Sequence, residues 1–364
     1  MQYRMLETFI TFSRFGQDVI KVFFIALLPT SFKKRRDIML IPVLLFIVGL
    51  LCLIKGGDWF VDGATGIARR FHVPELLIGA TVVSIGTTLP EVMVSTTSAM
   101  TGHGEIAYGN AIGSIICNTA LIAALTVAIR PGPVDTKALK TPVLFFFGSA
   151  AIYVSNAYVT GYFGRPLGIL LLAIFVVYLV VTVRQGFKNP AEAAAEEAGA
   201  VEEKAAKNSM GKDILLLVIG AALVALGADL LVDNGTLIAQ ALGVPESVIA
   251  LTFVALGTSL PELVTAITSL AKGHGSLSLG NVIGANVFNL VLVSGMSITV
   301  SPFSIPQNST IMGINSSLVM DLPVMFAVML LLTVPALLKG RLSRWQGVLL
   351  LCIYAAFCAV QFAM

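Results

Sequence analysis

Two glutamates stand where an apolar stretch least accommodates them. ATVVSIGTTLPE (residues 80–91) starts apolar and ends on Glu91, directly behind Pro90. LTFVALGTSLPE (251–262) repeats the arrangement and ends on Glu262 behind Pro261. A charge at mid-bilayer costs about 2.5–3.5 kcal/mol on insertion scales, so a matched pair needs a reason. Hydroxyls and small residues surround each carboxylate: Thr87 and Thr88 in one stretch, Thr258 and Ser259 in the other. The proline denies a backbone donor to the preceding turn, and Gly86 permits local unwinding. Carbonyls freed in this way are tolerated at membrane depth only where they line a cavity. Every donor is then an oxygen. Oxygens with two carboxylates suit a hard cation such as Ca2+ or Na+, and no His or Cys cluster is at hand for zinc or copper. The competing reading keeps each carboxyl neutral or hydrogen-bonded inside the protein; its recurrence at equivalent places weighs against that.

A second pair of segments follows the first. GSIICN (113–118) and GANVFN (284–289) each trail a Gly-Asn pair and place a small residue and an asparagine four apart on one helical face. Asn118 and Asn289 can offer amide oxygens to the same cavity, or simply bind helices together beside small residues. The GHG histidines, His103 and His274, mark turns more readily than ligands. Glu75 and Glu246 open their spans, where an acid favours a helix N-terminus. Cys52, Cys117, Cys352 and Cys358 lie in apolar runs without framework spacing and read as small hydrophobes. No Walker-type glycine loop is present, so ATP is not an evident energy source.

The elements that must position these residues are membrane helices. Of 364 residues 57% are hydrophobic and only 12% charged, with mean hydropathy +0.91, against about a quarter charged in a soluble domain. The apolar runs lack the period-two alternation of barrel strands. They predict ten spans, at about 40–62, 75–100, 106–128, 141–160, 166–185, 212–234, 246–271, 277–300, 317–338 and 345–363. Sliding the chain by 171 positions (262 minus 91) lays one half on the other: Asp58 on Asp229, Asp62 on Asp233, the VPE, GHG and GN triplets and pairs on their copies, and Asn118 on Asn289. Five spans separate equivalent points, an odd number, so the copies insert in opposite directions. The expected fold is all-α, two inverted five-helix repeats with a site where they meet.

The expected divisions are an N-terminal extension (1–38), a first repeat (39–185), a cytoplasmic linker (186–211) and a second repeat (212–364). Arg69, Arg70, Arg130, Lys137, Lys140, the Arg184–Lys212 segment, Lys272, Lys339, Arg341 and Arg344 fall on one side, and Arg165 almost alone on the other. Positive-inside reasoning puts the linker in the cytoplasm. Lys33 through Arg36 contradict that pattern. Residues 1–32 read either as an interfacial amphipathic helix or, with translation starting at Met39, as part of a mis-called extension. No cleavable signal peptide is evident.

GTTLPE with GNAIGSIICN, and GTSLPE with GNVIGANVFN, resemble the two alpha-repeats of the calcium/cation antiporter superfamily, and most of all its prokaryotic sodium/calcium exchanger branch. The resemblance covers the chain from Met39 onward. It implies ten helices, alternating access, and exchange of cytoplasmic Ca2+ for external Na+. It also implies that Glu91 and Glu262, with the Thr87 and Thr258 carbonyls, bind Ca2+. Thr88, Ser259, Ser114 and backbone oxygens at Ser84 and Ala255 would then help form flanking Na+ sites. Two positions depart from the pattern. Ala285 stands where a serine is common, and Asn289 where some relatives carry aspartate, which leaves two central carboxylates rather than three. Coupling to H+, or a K+ requirement, stays open on these grounds.

Two formal negative charges cannot cheaply hold Ca2+ and a full set of Na+ together, and antiport needs that exclusion. Spans one and six are expected to slide past the remaining bundle. Asp58, Asp62, Asp229 and Asp233 read as polar anchors or as cation-entry residues. An intramembrane enzyme lacks a nucleophile–base set, and a channel lacks a pore-lining ring. The expectation is a multi-pass protein of a prokaryotic inner membrane that takes Ca2+ and Na+ as substrates, with the lipid bilayer around it. It needs no cofactor and no nucleic acid. Oligomeric state is open.

Overall fold

The computed structural model describes residues 33–71, 73–188, 209–241, 257–307, 310–311 and 313–363. The expectations for residues 1–32, for most of the linker (189–208) and for Glu246 and Ala255 lie outside the described residues. Ten helices follow one another in the described chain: α1 Lys33–Phe71, α2 Glu75–Met100, α3 Gly104–Ile129, α4 Thr136–Thr160, α5 Arg165–Lys188, α6 Met210–Ala241, α7 Leu260–Ala271, α8 Gly275–Val300, α9 Ser317–Lys339 and α10 Arg344–Ala363. Among the described residues nine of them are long and apolar enough to cross a membrane. The tenth, α7, is the C-terminal part of the span expected at 246–271. The chain is an integral multi-pass membrane protein.

Helix ends are set by local chemistry. Asp135 caps α4 by accepting from the Lys137 and Ala138 amides at 2.9 and 3.1 Å, as an N-cap carboxylate does. Gly161 ends α4 and Gly340 ends α9, both at φ 62, where an L side chain would be strained.

The inversion is visible in how equivalent elements meet. Helices α1 and α6 are counterparts, and they pack antiparallel through each other's equivalent glycines. A Cβ on Gly49 would lie 2.9 Å from the Gly227 carbonyl, and one on Gly56 would lie 3.0 Å from the Gly220 carbonyl. Gly63, further along, faces Asp213 and Leu217 at the start of α6. Only hydrogen at these positions lets the two backbones touch.

Two short ribbons repeat the relation. β1 (Gly132–Pro133) pairs antiparallel with β6 (Arg341–Leu342), and β2 (Tyr162–Phe163) with β3 (Phe303–Ser304). β1 and β2 flank opposite ends of α4, so the ribbons cap opposite ends of the bundle. β1 and β3 are counterparts, as are β2 and β6, and each ribbon therefore joins the two repeats. The offset between halves lengthens to 179 positions (340 minus 161) beyond a hairpin unique to the second repeat, β4 (Thr310–Ile311) with β5 (Ile314–Asn315).

The centre belongs to α3 and α8. In their most apolar windows 72% and 83% of residues are buried, against 22% for α1 and 17% for α10. The peripheral helices expose Leu44, Leu51, Leu144, Val159 and Leu338, the apolar surface that lipid requires. One end of the bundle gathers the cations. There Arg70 pairs with Asp213 at 3.4 Å, Arg130 donates to the Leu270 carbonyl and Arg344 to the Ile129 carbonyl.

Candidate ion-binding site

Glu91 and Glu262 are both fully buried. Neither Glu91 oxygen has a hydrogen-bond partner; of the Glu262 pair, Oε1 accepts from Thr88 Oγ1 at 3.4 Å and Oε2 has none. The Thr88–Glu262 contact spans the repeats, so the acids of the two halves reach one locus. Ser259 Oγ and both amide atoms of Asn118 and Asn289 are likewise buried without partners. Native proteins satisfy the large majority of buried polar atoms, and leaving one unsatisfied costs about 1–3 kcal/mol. Six of these eight unpartnered atoms are oxygens, the kind of donor a hard cation takes. Among the described residues no cluster of three or more His, Cys, Asp or Glu exists that would suggest another metal chemistry.

Backbone irregularities position these side chains. α3 changes from α to π winding at Asn118–Ala123, and α8 does so at Asn289–Val293. Both asparagines therefore begin a π-turn, a feature frequent at functional sites. α2 has a π-turn at Gly79–Val83, where the Gly79 carbonyl accepts from Ser84 Oγ at 2.8 Å. α7 starts just after a turn at Thr258 and Ser259, with Pro261 in its first turn, where a missing N–H is harmless.

One expectation is corrected. Gly86 does not unwind α2: the helix runs unbroken from Ser84 to Met100 with Pro90 inside it. Pro90 still withholds a donor from the Gly86 carbonyl. Gly86 serves contact instead, since a Cβ there would lie 3.0 Å from the Phe60 ring.

The other expected residues divide as follows. Thr87 is buried and donates to Asn281 Oδ1 at 3.2 Å; Thr258, half-buried, donates to Asn110 Oδ1 at 3.2 Å. Ser84 is buried, and its hydroxyl lies within hydrogen-bond reach of the Gly79 carbonyl and of the Asn281 carbonyl and Oδ1. Ser114 is buried on α3, and Ala285 is fully buried on α8. The GHG segments form matched turns, with Gly102 at φ 86 and Gly273 at φ 89. His274 Nδ1 lies 2.7 Å from Glu75 Oε1.

Sequence reasoning left Asn110 and Asn281 out of the site. The repeated Gly-Asn pair was the available signal, but nothing in spacing alone shows that each amide reaches the opposite half.

The four matched aspartates are not equivalent in space. Lys272 bridges Asp62 Oδ1 at 2.7 Å and Asp58 Oδ1 at 3.4 Å, and donates to the Asp58 carbonyl at 2.9 Å. Asp229 and Asp233 line a cleft of about 140 Å3 that reaches Pro90, Thr258 and Pro261.

The chain matches the family described as sodium/calcium exchanger protein over residues 41–184 and 212–363. An uncharacterized membrane protein of Methanocaldococcus jannaschii is 36% identical, covering 85% of this chain and 94% of its own. A sodium/calcium exchanger of Methanosarcina acetivorans is 31% identical over 88% of this chain and 98% of its own. The solved structure of the sodium-calcium exchanger NCX_Mj, soaked with Na+ and Sr2+, superposes with a TM-score of 0.73 at 33% identity, covering 88% of this chain and 99% of that one.

Proposed function

Because the chain belongs to the sodium/calcium exchanger protein family, and is therefore a cation transporter rather than an enzyme, we propose that it exchanges Ca2+ for Na+ at a central site built on Glu91 and Glu262. One observation carries the reading: two fully buried carboxylates from opposite repeats, linked through Thr88, with three of their four oxygens lacking a hydrogen-bond partner. Relatives named as sodium/calcium exchangers, and an exchanger structure soaked with Na+ and Sr2+, support these substrates.

Glu91, Glu262 and the Thr87 and Thr258 carbonyls would hold Ca2+. Thr88, Ser259, Ser114, Asn118, Asn289 and backbone oxygens at Ser84 and Ala255 would complete the flanking Na+ sites. Two carboxylates balance one Ca2+ or two Na+, and a third positive charge in so enclosed a place is repelled strongly. Ca2+ and Na+ therefore displace one another.

α1 and α6, in backbone contact along their glycines, would move as one body across α2 and α7 and expose the site to each side in turn. The basic end of the bundle faces the cytoplasm under the positive-inside rule, with a prokaryotic inner membrane as the setting.

Everted membrane vesicles test the proposal. An imposed Na+ gradient should drive Ca2+ uptake that survives collapse of the pH gradient and needs no K+. Uptake lost with the pH gradient would instead select H+/Ca2+ antiport, and uptake that appears only with K+ would select the K+-dependent variant.

A further inference from the structure

We propose that Asn110 and Asn281 are positioning residues for the exchange site: each holds the threonine of the opposite repeat's Pro-Glu segment, so that neither half of the site is formed without the other. The proposal rests on the two-glutamate site described above and adds to it residues that are not themselves ligands.

The two contacts are copies under the repeat. Thr87 Oγ1 donates to Asn281 Oδ1 at 3.2 Å, and Thr258 Oγ1 donates to Asn110 Oδ1 at the same distance. Threonine 87 belongs to the first half and Asn281 to the second; the other pair is crossed the opposite way. Each threonine contributes its peptide carbonyl to the proposed Ca2+ shell. A hydroxyl tied to a fixed partner limits how far that carbonyl can turn.

The amide of Asn110 is itself held in one orientation. Its Nδ2 donates to Ser95 Oγ at 2.8 Å and to the Glu91 carbonyl at 3.3 Å, which leaves Oδ1 for Thr258. Asn281 is held differently. Its Oδ1 accepts from Thr87 and Ser84, its peptide carbonyl accepts from Ser84, and its Nδ2 is buried without a partner. The residue matching Ser95 in the second half is Ala266, which is fully buried and has no hydroxyl to offer. The glycines around Asn281 explain why the contact is short enough to matter. A Cβ on Gly284 would overlap Ser84 Oγ and Ala80, and one on Gly79 would sit 2.8 Å from the Asn281 amide nitrogen. α2 and α8 thus meet backbone to backbone at this asparagine.

The test is Ca2+ uptake into Na+-loaded proteoliposomes, with KM and Vmax measured separately. Asn281→Leu and Asn110→Leu should each raise KM for Ca2+ about tenfold, the affinity of one buried hydrogen bond, with Vmax changed less than about threefold. Thr87→Val should match Asn281→Leu, and Thr87→Ser, which keeps the donor, should restore the wild-type KM. The double variant Thr87→Val with Asn281→Leu should be no worse than its worse single, whereas Thr87→Val with Asn110→Leu should multiply. Ala266→Ser should lower KM by supplying the missing partner for Nδ2.

Leu variants with wild-type KM, or additive effects within the Thr87–Asn281 pair, overturn the proposal. Should the Leu variants fail to assemble, the Thr87→Val and Thr87→Ser comparison decides: equal KM for both overturns it. Glu91→Gln and Glu262→Gln run in parallel separate the two levels. If those still exchange, the site reading fails; if they are silent while Asn281→Leu keeps its KM, only this inference fails.

Discussion

At the residue scale the decisive feature is a pair of buried acids whose neighbours leave three of their four oxygens uncommitted. Glu91→Gln and Glu262→Gln each remove one charge while keeping shape, so insertion should be unaffected and exchange lost by about a hundredfold or more, the effect of halving the charge that opposes Ca2+ in a low-dielectric site. Uptake assays on variants quantified in the membrane fraction check this; substantial flux in either would undo the assignment. Ala285 is buried on α8, two residues after Ile283 and four before Asn289, where the π-turn begins. Ala285→Ser adds an oxygen there, and the Na+ concentration for half-maximal exchange should fall by about threefold, a fraction of one hydrogen-bond equivalent. An unchanged Na+ response would place residue 285 away from any ligand. The acids were legible in the sequence because carboxylates are rare in apolar runs. Asn110 and Asn281 were not, because their contacts join residues 148 and 194 positions from their partners, and only the packed fold brings these together.

At the element scale, most spans follow hydropathy closely, whereas α1 and α6 run on to Phe71 and Ala241, past the expected ends at 62 and 234. α2, α8 and α9 begin and end within about two residues of the sequence expectation, inside the usual scatter of helix ends. What hydropathy could not show is winding. The π-turns at Gly79–Val83, Asn118–Ala123 and Asn289–Val293 keep the same residues apolar or polar and change only where they point. Pro90 misled for a related reason: proline removes one helix hydrogen bond, and α2 continues through it, with Gly86 packed against Phe60 and Ala221. The glycines of α1 and α6 carry a direct prediction. Gly220→Leu pushes a side chain into the Phe60 backbone and Gly56; overpacking of this kind costs about 1–3 kcal/mol or more. A lowered Tm in detergent, larger than that of Gly211→Leu at an open position near the start of α6, is the expected result.

At the scale of the whole molecule the two halves are related by inversion but are not identical, and Lys272 is the plainest difference. Its counterpart is Thr101. Lys272 ties α7 to Asp58 and Asp62 of α1 at the basic end of the bundle, while Asp229 and Asp233 border the cleft toward Thr258. Lys272→Thr should make the two ends more alike. The pair is partly exposed, so its contribution is only about 1 kcal/mol or less, and the expected change is a rise of up to about fivefold in apparent Ca2+ affinity from the basic side, reduced at high salt. Oriented vesicles assayed from each face would show it, and equal affinities before and after substitution would refute it. The backbone contact between α1 and α6 has a further consequence. Moving as one body in the proposed exchange, two rods in contact at several points would act like a see-saw plank: raising one end would lower the other, and no position would leave both ends up. Freedom from leak would then need no sensor and no timing of separate doors, since a single rigid lever cannot admit both sides at once.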